Sequence, residues 1–570
     1  MKSSTRPDSI SETAMTDFTL EAPRALRPRF DAWRGGALFV AALVTLPVFS
    51  ITWLAFYPER NMWPHLASTA LPHMLQTTIL LLAGVGLGTA ALGVGTAWLV
   101  SLCRFRTRRL FEWALLAPIA MPAYLTAYTY VDFFEFAGPV QTGLRALMGW
   151  TRPSDYWFPE IRSLYGAIFV LSLTLYPYVY LSARAAFLQQ SARVLEVSRT
   201  LGLGPWAVFF RVALPLARPA IVVGVILALM EALGDFGTVD YFAVRTLTAG
   251  VYDIWMGMGN AGGAAQIALA LLGFVLLLIS LERLARRDRR FHSTSGPVRA
   301  SPQYVLTSFK QGAAIMACML PLIFGFLIPA GILVQMALSR LTLSLNAAFF
   351  EYALNSFFLA AMAAILAVCV GMFLAYGGRL GAGRGQKILT RIASVGYVIP
   401  GAVLALGVMI PFGNFDNALD GVMRSYFGIS TGLLLSGTVG ALLFAYVVRF
   451  LALSFGALES GLTRITPAMD MAARSLGQGP GGVLWRVHLP LLRGPILTAV
   501  LLVFVDCMKE LPATLILRPF NFDTLATHVY TFASLGRLED SALAGLSIVA
   551  AGILPVILLS RAITGKTDTP

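Results

Sequence analysis

Four acidic residues stand where acids are costly. Glu231 and Asp235 lie in the apolar stretch 217–236, and Asp506 and Glu510 lie in the apolar stretch 494–515. Within each stretch the two acids are four residues apart, which predicts that both lie on one face of a helix. The pairs are also related to each other: 231 and 506, and 235 and 510, are each 275 positions apart. Carboxylates inside an apolar helix normally face a cavity or hold a partner. They are hard oxygen donors suited to a hard cation, so four around a common axis would line a cation path. The competing reading is a structural ion-pair network, because Lys509 adjoins Glu510 and Arg449 lies within another apolar stretch. Asp240 and Tyr241 follow the first pair and are candidates for the outer mouth of such a path. A tyrosine at that place serves equally as an interfacial anchor.

The elements that must position these residues are membrane helices. The chain has 570 residues, 57% hydrophobic and only 13% charged, with mean hydropathy +0.73. Soluble domains carry about 25% charged residues. Twelve apolar segments reach the roughly 20 residues that a bilayer-spanning helix needs. They are predicted at 36–58, 76–101, 111–136, 163–187, 217–236, 262–281, 312–337, 352–377, 392–413, 430–455, 494–515 and 541–560. The fold class expected is therefore all-α integral membrane, two pseudo-symmetric halves of six helices.

The formal net charge of +14 fits this topology. With the N-terminus inside, the cytoplasmic segments hold 32 of the 43 Lys and Arg, and the outer loops hold 9; Arg449 and Lys509 are within helices. That bias is what the positive-inside rule expects, so the basic charge needs no nucleic-acid partner. The domains expected are a disordered cytoplasmic tail at 1–34, a first half at 35–281, a basic cytoplasmic linker at 282–311, a second half at 312–562 and a short cytoplasmic tail at 563–570.

A direct repeat supports the two halves. Residues 199–221 read RTLGLGPWAVFFRVALPLARPAI and residues 474–496 read RSLGQGPGGVLWRVHLPLLRGPI, with 13 of 23 positions identical and no gap. Because each half has an even number of spans, the repeat is parallel, with its pseudo-twofold axis along the membrane normal. Both copies fall in predicted cytoplasmic loops. Gly202 and Gly477 permit the left-handed turn that ends a helix, and Pro215 and Pro490 are expected to break the chain again. Two short angled helices on one membrane face would suit docking to a partner present in two copies.

These residues resemble the signature of ABC importer permeases: EAA, three residues, Gly, nine residues, Ile, one residue, Leu-Pro. The first copy has Glu196-Val-Ser198, Gly202, Val212, Leu214 and Pro215; the second has Met471-Ala472-Ala473, Gly477, Val487, Leu489 and Pro490. The resemblance implies that both segments are coupling helices seated on ATP-hydrolysing subunits. The second copy departs from the pattern: Met471 stands at the usual Glu position, with Asp470 one place earlier, so the two contacts are expected to be unequal. Residues 230–256 and 503–530 are further similar to ferric-iron importer permeases of Gram-negative bacteria. Related permeases for thiamine, phosphonates, sulfate or polyamines share the coupling loop. The resemblance implies two copies of an ABC ATP-binding subunit, a periplasmic ferric-binding protein, and residence in the bacterial inner membrane with both termini cytoplasmic. ATP and Mg would be used by the partner ATPase, and no cofactor is expected on this chain.

The remaining chemistry is sparse. Thr564-Gly565-Lys566-Thr567 supplies GKT, but Ser560 stands where a phosphate-binding loop needs its first glycine. Cys103, Cys318, Cys369 and Cys507 form no CxxC pair and read as small buried apolar residues. The five histidines are too scattered to assign a metal site. A secondary transporter, with the acids as ion relays, fits twelve helices but gives no reason for paired coupling segments. A membrane enzyme lacks a catalytic constellation.

Overall fold

A computed structural model describes residues 32–190, 192–287, 304–380 and 384–564. Among them, ten helices are long and apolar enough to cross a bilayer, or twelve when two sharply bent pairs each count as one span. The first half contributes Trp33–Phe56, Ala70–Leu102, Leu164–Gln189, Pro205–Gly234 and Ala261–Ala285, plus Arg108–Ala120 bent by 87° into Ala123–Met148. The second contributes Ser308–Ser339, Ala347–Leu380, Gly401–Phe427, Val439–Thr463 and Leu538–Pro555, plus Pro480–Leu491 bent by 76° into Arg493–Met508. The first bend falls at Met121-Pro122, where Pro122 leads the next helix as its N-cap. The residue before a proline is disfavoured from the helical region, and Met121 is extended, with ψ 111.

Two expectations shift. The predicted span at 430–455 begins instead at Val439, although Leu433-Leu434-Leu435 is apolar. Residues 428–438 are folded into turns with Gly428, Gly432 and Gly437 at positive φ. Buried Asp416 accepts hydrogen bonds from the Leu435 and Ser436 N–H groups and the Ser436 hydroxyl, and Asp420 accepts from the Thr431 and Gly432 N–H groups. Those carboxylates satisfy the backbone that a helix would otherwise satisfy itself. The expected linker also has structure at its ends. The helix Ala261–Arg287 covers its start. Tyr304–Val305 pairs in parallel with Cys103–Arg104, and the Arg199 guanidinium lies 3.9 Å above the Tyr304 ring. Residues 288–303 of the linker, residues 1–31 of the tail and residues 565–570 at the C-terminus fall outside the described residues.

Within each half the same two helices run side by side: Ala70–Leu102 along Leu164–Gln189, and Ala347–Leu380 along Val439–Thr463. The leading helix of each half is exchanged and packs on the other half. Helix Ala32–Phe56 lies against Gly401–Phe427, and the π-turn Ile323–Leu327 of the helix that opens the second half lies against Leu164–Gln189. Glycines set both distances. A Cβ on Gly407 would stand 2.5 Å from the Pro47 carbonyl oxygen, and one on Gly325 would stand 2.7 Å from that of Leu173. The Tyr130 hydroxyl donates to the Phe324 carbonyl beside the second contact. Exchange of this kind binds the halves without requiring a broad flat interface between them.

A side chain forced against the Pro47 backbone must separate two helices, an overpacking cost of about 1–3 kcal/mol. Gly407→Val is therefore expected to lower the thermal unfolding midpoint of the purified chain in detergent. Gly95→Val, at a position with nothing within 4 Å, is expected to leave it unchanged.

Candidate functional site

The helix Leu214–Gly234 ends one residue before Asp235, and Arg493–Met508 ends two residues before Glu510. The four acids therefore do not share helix faces four residues apart as expected; Glu231 and Asp506 are helical, whereas Asp235 and Glu510 lie past the helix ends. The reason is a repeated local motif. Asp235 accepts from the Thr238 N–H at 2.9 Å, and Glu510 accepts from the Ala513 N–H at 3.0 Å. Each carboxylate caps the short helix that follows, Gly237–Tyr241 or Pro512–Leu517, satisfying donors that have no intrahelical partner.

All four acids line one cavity of about 120 Å³ between the halves. Each is engaged. The Tyr397 hydroxyl donates to Glu231 Oε1, Lys509 Nζ is 2.7 Å from Asp506 Oδ1, and Arg449 Nη1 is 3.6 Å from Glu510 Oε1. Pairing offsets the cost of placing charge in an apolar environment. The Nε and Nη1 atoms of Arg449 are buried and make no hydrogen bond. Among the described residues no three His, Cys, Asp or Glu side chains stand close enough together to hold a metal ion. The acids obey the repeat and the bases do not. At the 275-residue offset, Arg449 corresponds to Thr174 and Lys509 to Gly234, so both cations come from the second half. Three tyrosines, Tyr124, Tyr178 and Tyr397, complete the polar lining. The sequence reading did not single them out, because they match no repeat or motif.

Asp240 and Tyr241 are not among the residues lining this cavity. Asp240 accepts from the Tyr530 hydroxyl at 2.9 Å, joining the halves beyond Gly237. Tyr241 stacks edge-on with Tyr128, ring centroids 4.4 Å apart, and lies beneath Arg162.

The two repeat segments adopt one local geometry. Gly202 has φ +80° and Gly477 φ +79°. In the first, the Gly202 N–H donates to the Arg199 carbonyl at 2.9 Å and the Leu203 N–H to that of Ser198 at 3.1 Å; in the second, Gly477 donates to Arg474 at 3.0 Å and Gln478 to Ala473 at 3.1 Å. This is the Schellman termination, which places a left-handed residue after the last turn. The expected second break is absent at Pro215. That residue occupies the first turn of Leu214–Gly234, where no N–H is required, and Pro205–Gly234 passes through it as one apolar span. In the second half the bend falls at Leu492, two residues past Pro490. Leu214, Pro215 and Leu489 are half-buried.

Glu196, Met471 and Ala472 are exposed. Asp470 is not: it points back into the protein. Arg379 Nε is 2.8 Å from its Oδ2, His488 Nε2 is 2.8 Å from its Oδ1, and the same guanidinium donates to the Leu462 and Ile465 carbonyls. At the repeat offset the first half has Leu195 and Ala213 for Asp470 and His488, both buried apolar residues. A polar cluster thus replaces apolar packing beneath the second segment, so Asp470 does not replace Glu196 as an exposed acid. The exposed residues shared in kind include Leu201 with Leu476, Phe210 with Trp485 and Arg211 with Arg486, whereas exposed Trp206 corresponds to Gly481.

Residues 89–290 match the family described as binding-protein-dependent transport system inner membrane component. The chain is 24% identical over 496 residues to the Fe(3+)-transport system permease protein FbpB 2 of Haemophilus influenzae, covering 86% of this chain and 89% of that one. It is 22% identical over 568 residues to the ferric transport system permease protein FbpB of Actinobacillus pleuropneumoniae, covering 94% and 78%. Over 205 residues it is 30% identical to the molybdenum transport system permease protein ModB of Escherichia coli, covering 35% of this chain and 86% of that one.

Burial raises the Asp470 carboxyl, but hydrogen bonds from Arg379 and His488 outweigh it and hold the group below the usual carboxylate range. A carboxyl depressed by folding stabilises the fold above its unfolded value, about 3.9, and loses that contribution as the pH falls through the folded value. The segment 467–491 is therefore expected to open as the pH falls below about 4, read as loss of hydrogen-exchange protection after correction for intrinsic rates. Asp470→Asn is expected to flatten this dependence and to lower protection already at neutral pH.

Proposed function

We propose that this chain, which belongs to the family of binding-protein-dependent transport system inner membrane components, passes ferric iron across a bacterial inner membrane. It is a multi-pass permease subunit of an ABC importer. On our reading it receives Fe(III) from a periplasmic binding protein and relies on ATP hydrolysed, with Mg, in two copies of a separate subunit, binding no cofactor itself. Both termini and the basic linker face the cytoplasm. The single observation that supports the cargo best is the cavity: four carboxylates from matched positions of both halves line it, beside three phenols. The relatives that align along most of the chain bear ferric-transport names.

The coupling role falls to the exposed faces around Glu196, Gly202, Leu214 and Pro215 in one half and Met471, Ala472, Gly477, Leu489 and Pro490 in the other. The Schellman turns fix the angle between the short helix on the surface and the helix that leads to the cavity acids. Glu231 stands 16 residues beyond Pro215, about 24 Å of helix. In the first half, movement of the docked segment is thereby transmitted to the cavity through one continuous span; in the second, the chain bends at Leu492 on the way. The loaded binding protein and ATP favour different states, as any ligand-driven shift requires.

A second reading has a specific observation behind it. Arg449 and Lys509 line the same cavity, and the buried Arg449 Nε makes no hydrogen bond or ion pair, which would suit an oxyanion such as a phosphonate. Four acids against two bases favour the cation. An ion-driven carrier is disfavoured because it would not need two surface segments with the same terminating turn.

Uptake of radiolabelled Fe(III) into iron-starved cells tests the cargo. Deletion of the gene is expected to abolish uptake, and the intact chain to restore it. A Glu231→Ala/Asp506→Ala chain that still reaches the membrane is expected not to. Uptake unchanged by deletion, with other iron routes disabled, would remove the ferric assignment. Gly202→Val and Gly477→Val force a β-branched residue into the left-handed region, a local strain of about 1–2 kcal/mol, with no steric clash because nothing lies within 4 Å of either Cβ position. Both are expected to keep the fold and ATP hydrolysis while uptake falls; normal uptake would argue against the coupling role.

A further inference from the structure

We propose that Tyr178, Tyr397, Glu231 and Asp506 form a transient oxygen-donor site for Fe(III), contributed equally by the two halves and dismantled when the halves move apart. The inference rests on the ferric reading above and specifies where in the cavity the ion pauses.

The carboxylates alone do not make such a site. Each is held by a partner, and no three of them converge among the described residues. Donors must come from elsewhere, and the phenols are at hand. Tyr397 donates to Glu231, and Tyr178 lines the same cavity as Tyr397, Glu231 and Asp506. A third phenol, Tyr124, is 5% exposed, lines the same cavity near Asp235 and Glu510, and its hydroxyl has no partner. An unsatisfied buried hydroxyl is costly unless something occupies the space it faces. Duplication does not account for Tyr178 and Tyr397. At the 275-residue offset Tyr178 corresponds to Leu453 and Tyr397 to Pro122. Each half has acquired one phenol at a non-equivalent position, yet both line the same cavity.

The chemistry suits a small trivalent cation. Fe(III) is a hard ion and favours anionic oxygen ligands. Each phenol that binds it gives its proton to water in the cavity. Two phenolates and two carboxylates then balance the ion together with the Lys509 ammonium on Asp506, so the loaded site is electrically neutral, as a low-dielectric position requires. Tyr178 and Glu231 belong to helices of the first half, and Tyr397 and Asp506 to the second. Any rocking of one half against the other divides the ligands two and two, which weakens the site without a separate release step.

The test uses the complete complex, this chain with its ATPase, in lipid nanodiscs, titrated with Fe(III) citrate. Phenolate bound to Fe(III) gives a visible charge-transfer band that carboxylates do not. Wild type is expected to show the band. Tyr178→Phe and Tyr397→Phe are each expected to lose it, with Fe(III) affinity weakened about tenfold or more and radiolabelled iron uptake falling in the same order. The two variants remove one donor from each half, so a folding failure in one leaves the other decisive. Tyr180→Phe, whose hydroxyl bonds the Glu112 carbonyl away from the cavity, is expected to keep the band. A band that persists in both cavity variants, or iron import without any band, would overturn the site and leave the ferric reading standing. Import of molybdate or a phosphonate with no iron import would overturn both.

Discussion

Ionised groups in the interior of a membrane protein must be satisfied by the protein itself, and this constraint organises the chain. Glu231, Asp235, Asp506 and Glu510 can be accommodated only because two halves meet around them. Each half supplies a cap for its own outer acid, Thr238 N–H for Asp235 and Ala513 N–H for Glu510. The inner acids depend on the second half: Glu231 is met by Tyr397 and Asp506 by Lys509. A single half would leave Glu231 without the tyrosine that meets it. The exchange of leading helices, with Pro47 against Gly407 and Leu173 against Gly325, holds the halves in the register that these contacts need.

The repeat and its departures divide the labour. Duplication preserved mechanical parts, the Schellman turns at Gly202 and Gly477 and the π-turns Phe209–Ala213 and Leu484–His488 that follow them, and it also preserved the four acids of the cavity. What diverged is chemical: Arg449 for Thr174, Lys509 for Gly234, and the Arg379–Asp470–His488 cluster in place of Leu195 and Ala213. On our reading the preserved turns transmit motion, while the four acids and the diverged side chains beside them define what is moved and how each half is held.

Much of this was legible in the sequence because it rests on local rules. The span count followed from hydropathy, the left-handed turns from Gly202 and Gly477, and the pairing of the acids from their constant offset. Other features were hidden because they depend on tertiary partners. Helical spacing placed Asp235 with Glu231 on one face, but the helix stops at Gly234 so that the carboxylate can cap the next one. Leu433-Leu434-Leu435 read as membrane helix, but Asp416 and Asp420, 13 or more residues away in sequence, hold that segment in turns. Asp470 stood one place before the usual acidic position of the second segment, and only Arg379, 91 residues away, shows why it turns inward. Tyr178 and Tyr397 carried no signal, since their place in one cavity follows from helix packing alone.

On our reading the four acids border a path that opens to water and are not a sealed ion-pair network. State-dependent labelling tests it most directly. Single cysteines at positions 231, 235, 506 and 510, in a chain otherwise free of cysteine and assembled with its ATPase, are treated with a membrane-impermeant thiol reagent with and without trapped ATP. The account predicts that all four react in one state and are protected in the other, with the two halves changing together. Four positions that stay unreactive in both states would contradict it and leave the acids a structural network.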